Sequence, residues 1–123
     1  GQIFYQATRR LIVRGADAIV FVADSQEARM EANEVALEHL DADVCEHFGD
    51  SRSVPCVMQY NKRDVPEATP LAQLQRALNR QGWPEFEGVA SLGIGVQTTA
   101  KAAIKLAVRG LQREFGAASE ARP

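Results

Sequence analysis

Two short apolar runs restrict the fold of this chain more than any other feature. Ala18 to Ala23 reads AIVFVA, and Val54 to Tyr60 reads VPCVMQY, with Pro55 at its entry. Both are rich in branched or aromatic side chains and too short for a buried helix, so both read as strands, the first apolar enough to be covered on both faces. Between them Met30, Leu37, Leu40, Val44 and Phe48 recur at three-, four- and seven-residue spacing. That is the stripe of a helix with one face on a core. Asp24-Ser25, at a strand end where ligands of such sheets sit, could be functional, but N-capping of this helix explains the pair with less; Gly49-Asp50-Ser51 breaks the helix. Two strands joined through a helix run parallel, with a right-handed crossover.

The alternation continues. Pro70 opens a helix carrying Leu71, Leu74 and Leu78, and Gly82 closes it. Phe86 to Ala90 is a weaker third strand. A last helix starts near Val96 with Ala100, Ala103, Ile104, Ala107, Leu111 and Phe115 on one face. Upstream of the first strand, Phe4 to Arg14 reads as a helix or helical turn stopped by Gly15. The small, polar GAASEARP end frays. The reading is one α/β domain over residues 1–116 with a tail at 117–123: three layers, a parallel sheet flanked by helices. Ligands of such sheets bind at the carboxyl ends of the strands. Three strands make a thin sheet with an unprotected edge.

Composition removes other classes. The chain has 123 residues, 46% of them hydrophobic, and a net charge of −2. That is enough apolar mass for a core and no global field for nucleic acid or an anionic membrane. No apolar run approaches the roughly 20 residues that span a bilayer, and the start carries no secretory pattern. Two cysteines, Cys45 and Cys56, are too few for a disulfide scaffold; free thiols in the cytoplasm are expected.

Asn61-Lys62-Arg63-Asp64 follows the second strand, where ligands sit. The Asp64 carboxylate can accept two bonds from adjacent N–H donors, such as guanine N1 and N2. The Asn61 amide can hold the far edge of a base and pin the neighbouring loop, and the Lys62 stem can lie along the ring face. By itself the quartet is equally compatible with an ordinary charged turn.

In this order of elements, NKRD resembles the NKxD guanine-recognition motif of Ras-like small GTPases. The resemblance implies that Ala90, in Val89-Ala90-Ser91, donates its backbone N–H to the guanine oxygen, with Ser91 beside it. The family's usual Ser-Ala-Lys is altered here, at the cost of side-chain support for the loop. Gly1-Gln2, followed by Phe4-Tyr5 and Thr8-Arg9-Arg10, resembles the end of the family's Asp-x-x-Gly-Gln motif. The resemblance gives Gly1 a γ-phosphate contact and Gln2 the orientation of the attacking water. The finer likeness is to the bacterial MglA-type motility and polarity GTPases, carried by GQIFYQATRRLIVRGADAIVFVADSQ, QYNKRDVP and LNRQGWPEFEGVASLGIGV. It implies GTP or GDP with Mg2+ in the intact family member, a roadblock-type activating partner, and a P-loop GTPase fold lacking its first three strands.

The chain holds no Gly-x-x-x-x-Gly-Lys-Ser/Thr loop. Gly88 and Gly93 have that glycine spacing, but Ile94-Gly95 follow them. Gly93-Ile94-Gly95 starts a dinucleotide fingerprint, whose third glycine is replaced by Thr98. No metal site is expected: His39, Asp43 and His47 recur every four residues on one helix and read as a solvated face. Without phosphate-binding residues, this polypeptide alone is expected to be inactive and to hold no nucleotide tightly. A reading from another class is a non-catalytic, GTPase-like interaction module that pairs through its exposed sheet edge.

Overall fold

The computed structural model describes residues 17–50 and 52–120. Their core is a three-stranded parallel sheet in sequence order, β1 (Ile19–Asp24), β2 (Cys56–Asn61) and β3 (Glu85–Glu87). Ile19 pairs with Cys56 and the register runs to Asp24 opposite Asn61; Met58 to Tyr60 pair with Glu85 to Glu87. Helices α1 (Met30–Phe48), α2 (Leu71–Leu78) and α3 (Val96–Glu120) supply the crossovers and the last layer.

Strand alternation assigns the faces. Phe21, Ala23, Met58 and Tyr60 join Leu40, Val44, Leu74 and Leu78 in one apolar cluster, which puts α1 and α2 on that side. Gln59 points the other way: its Nε2 donates to Thr99 Oγ1 at 2.9 Å and to the Gly95 carbonyl at 3.3 Å, at the start of α3. Cys56 to Tyr60 are all buried, as a central strand requires. The fold is therefore the expected α/β arrangement, consistent with part of a P-loop GTPase.

Several details differ from the sequence reading. Among the described residues β1 is covered on one face only, since Val20 and Val22 remain 39% and 52% exposed on the α3 side. The inner side of α3 is Thr99, Ala102, Ala103, Leu106, Ala107 and Gly110, whereas Ile104 and Phe115 are 61% and 74% exposed. The Gln59–Thr99 bond fixes that rotation. Asp24 and Ser25 do not cap α1. A 3-10 turn at Glu27–Arg29 intervenes, and Asp24 Oδ1 accepts from the Gln26 N–H at 2.9 Å instead. Of the proposed α1 stripe, Leu40 and Val44 are buried and Met30 and Leu37 pack against them, but Phe48 is exposed, edge-on to the His47 ring. His39 and His47 face solvent, whereas Asp43 is buried, so the three form no single solvated face.

Two boundaries also move. Helix α2 stops at Leu78, not at Gly82, because the Asn79 side chain accepts from the Trp83 N–H at 2.8 Å and donates to the Trp83 carbonyl at 2.9 Å. β3 ends at Glu87. The chain then turns back, with Val89 and Ile94 exchanging bonds of 3.0 and 3.1 Å around a 3-10 turn at Ala90–Leu92. The first expected helix, Phe4 to Arg14, lies outside the described residues.

Candidate functional site

The carboxyl ends of β1, β2 and β3 form one edge, and four of the expected residues meet there. Asn61 is the last residue of β2 and the register partner of Asp24. Its Oδ1 accepts the Ala90 N–H at 2.8 Å, across 29 residues of sequence. The asparagine thus pins the neighbouring loop, as expected. The same bond gives the Ala90 N–H an acceptor within the protein.

Lys62 follows in a left-handed backbone conformation, φ 61°. Its ammonium lies 3.0 Å from Asp24 Oδ2. Asp64 is exposed, with its carboxylate unengaged by the other described residues. Ser91 is exposed in the 3-10 turn beside Ala90. Gly1 and Gln2 lie outside the described residues.

Arg63 was the unnamed member of the quartet, yet it is the most engaged. Its N–H donates to the Gly88 carbonyl at 3.2 Å, Nε to Glu87 Oε1 at 3.1 Å, and Nη1 to the Thr69 carbonyl at 2.6 Å. Thr69 N–H in turn reaches the Ser25 carbonyl at 2.8 Å, and Ser25 N–H reaches the Asn61 carbonyl at 3.0 Å. One hydrogen-bonded ring therefore ties the ends of all three strands beneath the loop. Inside it the Ser25 and Thr69 hydroxyls are buried without partners among the described residues. Each such group costs about 1–3 kcal/mol of desolvation.

Two glycines with left-handed backbone lie in the segment that follows β3. Gly95 sits at φ +79°, and a Cβ there would stand 2.2 Å from the Glu87 carbonyl oxygen. Gly93 shares the left-handed backbone, φ +75°, but a Cβ there meets nothing within 4 Å.

Chemically, the edge offers an exposed carboxylate, a tethered lysine stem and a fixed amide side chain within one loop pair. The carboxylate can accept from the adjacent N–H groups of a flat heterocycle. Among the described residues, no three His, Cys, Asp or Glu side chains converge as metal ligands. No helix there is long and apolar enough to cross a membrane.

No family model matches the chain. It is, however, 47% identical over 113 residues to the mutual gliding-motility protein MglA of Myxococcus xanthus (strain DK1622). The chain belongs with the MglA-type, Ras-like proteins. The match takes in 92% of this chain and 58% of that relative's length. The quartet Asn61-Lys62-Arg63-Asp64 begins on the last residue of β2.

Sequence reasoning gave no role to Arg63, Gln59 or Thr99, and it preferred helix capping over a functional role for Asp24. Gln59 carried a usable signal, a lone amide inside an apolar run. The others act through partners that are distant in sequence.

Proposed function

We propose that this chain carries the guanine-specifying part of a GTP-binding molecular switch. In the intact protein the switch binds GTP or GDP with Mg2+, hydrolyses GTP slowly and helps control motility or cell polarity in the cytoplasm. The proposal is carried by the meeting of Asn61, Lys62, Asp64 and Ala90 at one sheet edge, with Ala90 tied to Asn61 at 2.8 Å. In this reading Asp64 accepts from guanine N1 and N2, the Lys62 stem lies against the ring, and the guanine oxygen shares or takes over the Ala90 N–H beside Ser91.

The fit is one-sided. The residues at the edge suit a guanine base, whereas a triphosphate with Mg2+ needs the Gly-rich loop with Lys-Ser/Thr, which this sequence does not contain. Gly1 and Gln2 keep their family roles as proposals, the first toward the γ-phosphate and the second toward the attacking water. A roadblock-type activating protein is the partner the family resemblance favours.

Asp64→Asn tests the reading in the longest form of the protein that retains nucleotide. Replacing an acceptor by an amide is expected to weaken guanine binding about tenfold or more, and to improve xanthine, whose 2-position is a carbonyl. Unchanged guanine preference would remove Asp64 from the site.

A second reading has its own observation. Among the described residues β1 pairs only with β2, and Val20 and Val22 beside its open edge are exposed. A non-catalytic module would use that edge to pair with another chain. Concentration-dependent oligomers with no preference for GMP over AMP favour it; guanine-selective binding favours the switch.

A further inference from the structure

The Lys62 ammonium is held back against the protein. It lies 3.0 Å from Asp24 Oδ2, and Asp24 ends the strand next to the one that Lys62 follows. The lysine stem therefore bridges two neighbouring strand ends, which stand about 4.8 Å apart. Asp24 is itself braced. Its Oδ1 accepts the Gln26 N–H at 2.9 Å. Asn33, buried on α1, accepts the Asp24 N–H at 3.0 Å and donates to the Asp24 carbonyl at 2.8 Å. Burial pushes the Asp24 carboxyl up, but the Gln26 bond and the Lys62 charge outweigh it and keep the group below its ordinary range.

We propose that Asp24 is a positioning residue for base recognition: it anchors Lys62 Nζ at the end of β1 and thereby lays the lysine stem across the sheet edge as the surface on which a flat base rests. The proposal rests on the guanine reading above and adds a residue to it that the motif does not contain. Its physical content is a division of labour. The lysine's charge is neutralised within the protein, so Lys62 offers the base its methylenes. Without the anchor, an exposed lysine samples many rotamers and the stem must be ordered by the ligand. Asn33 acts one step further back, by fixing the backbone from which the carboxylate projects.

The test uses the 123-residue chain, titrated by NMR with GMP and separately with AMP, following the Asp64 and Ala90 amides and the Lys62 side-chain nitrogen. Asp24→Asn is expected to weaken GMP binding about fivefold, the upper range for an exposed ion pair. Asp24→Glu is expected to recover part of the loss. In a Lys62→Met background, Asp24→Asn is expected to change nothing further, because the carboxylate acts only through the ammonium. Equal weakening in both backgrounds overturns the proposal and leaves Asp24 a merely structural residue. Identical responses to GMP and AMP in the wild-type chain sink the guanine reading, and base positioning with it. The anchor is then judged separately: a Lys62 nitrogen signal unmoved by Asp24→Asn overturns it, and a moved one keeps it.

Discussion

Arg63 has the variable place in NKRD, and its three bonds bear unequal weight. The 2.6 Å bond to the Thr69 carbonyl is charge-assisted and partly buried, whereas Glu87 at 3.1 Å sits on an exposed rim. Arg63→Ala is therefore expected to cost about 2 kcal/mol, mostly through the stranded Thr69 carbonyl. Glu87→Gln should cost under about 0.5 kcal/mol. Urea denaturation of the two variants separates these values, and Arg63→Lys should recover little, since an ammonium cannot reproduce the planar fork. The cysteines give a second residue-scale prediction. Burial pushes the Cys56 thiol up to about 11, while Cys45 is exposed. At pH 8 iodoacetamide should label Cys45 alone, with Cys56 following only in denaturant, as mass spectrometry would count. Asn61, Lys62 and Asp64 were legible because their types and order form a pattern. Arg63 was not, because Glu87 and Thr69 give it meaning only after folding, and Asp24 read more simply as a helix cap because its Lys62 partner is distant in sequence.

At the scale of elements, the strand–helix alternation was legible because hydrophobic period encodes it directly. Edges and endings were not. AIVFVA is apolar enough for two covered faces, but burial of Val20 and Val22 depends on what lies beside β1, which periodicity does not carry. The stop of α2 belongs to Asn79, whose side chain satisfies Trp83 at both its N–H and its carbonyl. The turn after β3 separates two glycines that look alike in sequence. Gly95→Ala drives a Cβ into the Glu87 carbonyl oxygen at 2.2 Å. It should cost at least about 3 kcal/mol, against about 1 kcal/mol for Gly93→Ala, which bears left-handed strain alone. Equal urea midpoints for the two variants would show that the turn gives way at Gly95. Where β2, α2 and β3 meet, Glu85 accepts from the Tyr60 hydroxyl at 2.6 Å, from Asn79 at 2.8 Å and from Gln75. Burial raises its pKa, but these bonds outweigh it and the carboxyl sits below its usual 4.5. A depressed carboxylate contributes stability above its unfolded pKa and loses it as pH falls through the folded value. The stability gap between wild type and Glu85→Gln should therefore be full at pH 7 and close progressively below about pH 4.5, as denaturant titrations across that range would read.

For the whole molecule, the two functional readings disagree about one surface. Among the described residues β1 pairs only with β2, and Val20 and Val22, on the sheet face toward α3, are exposed. An unpaired strand edge is a template for pairing with another strand. The chain spans 58% of its Myxococcus relative. The switch reading expects further GTPase sequence to add its strand at this edge, bringing the phosphate chemistry with it. The module reading expects a second chain there instead. Sedimentation velocity across a concentration series addresses both, because this polypeptide by itself meets only copies of itself. Self-association should rise with concentration, and Val22→Lys should shift it toward monomer while leaving the melting temperature within about 2 °C, since an exposed position contributes little to the folded core. If Val22→Lys unfolds the chain or leaves the oligomer untouched, the edge is not the contact. If GDP raises the melting temperature of the wild-type chain by several degrees, binding of the phosphates is encoded in these residues after all, and the division between base recognition and phosphate chemistry fails.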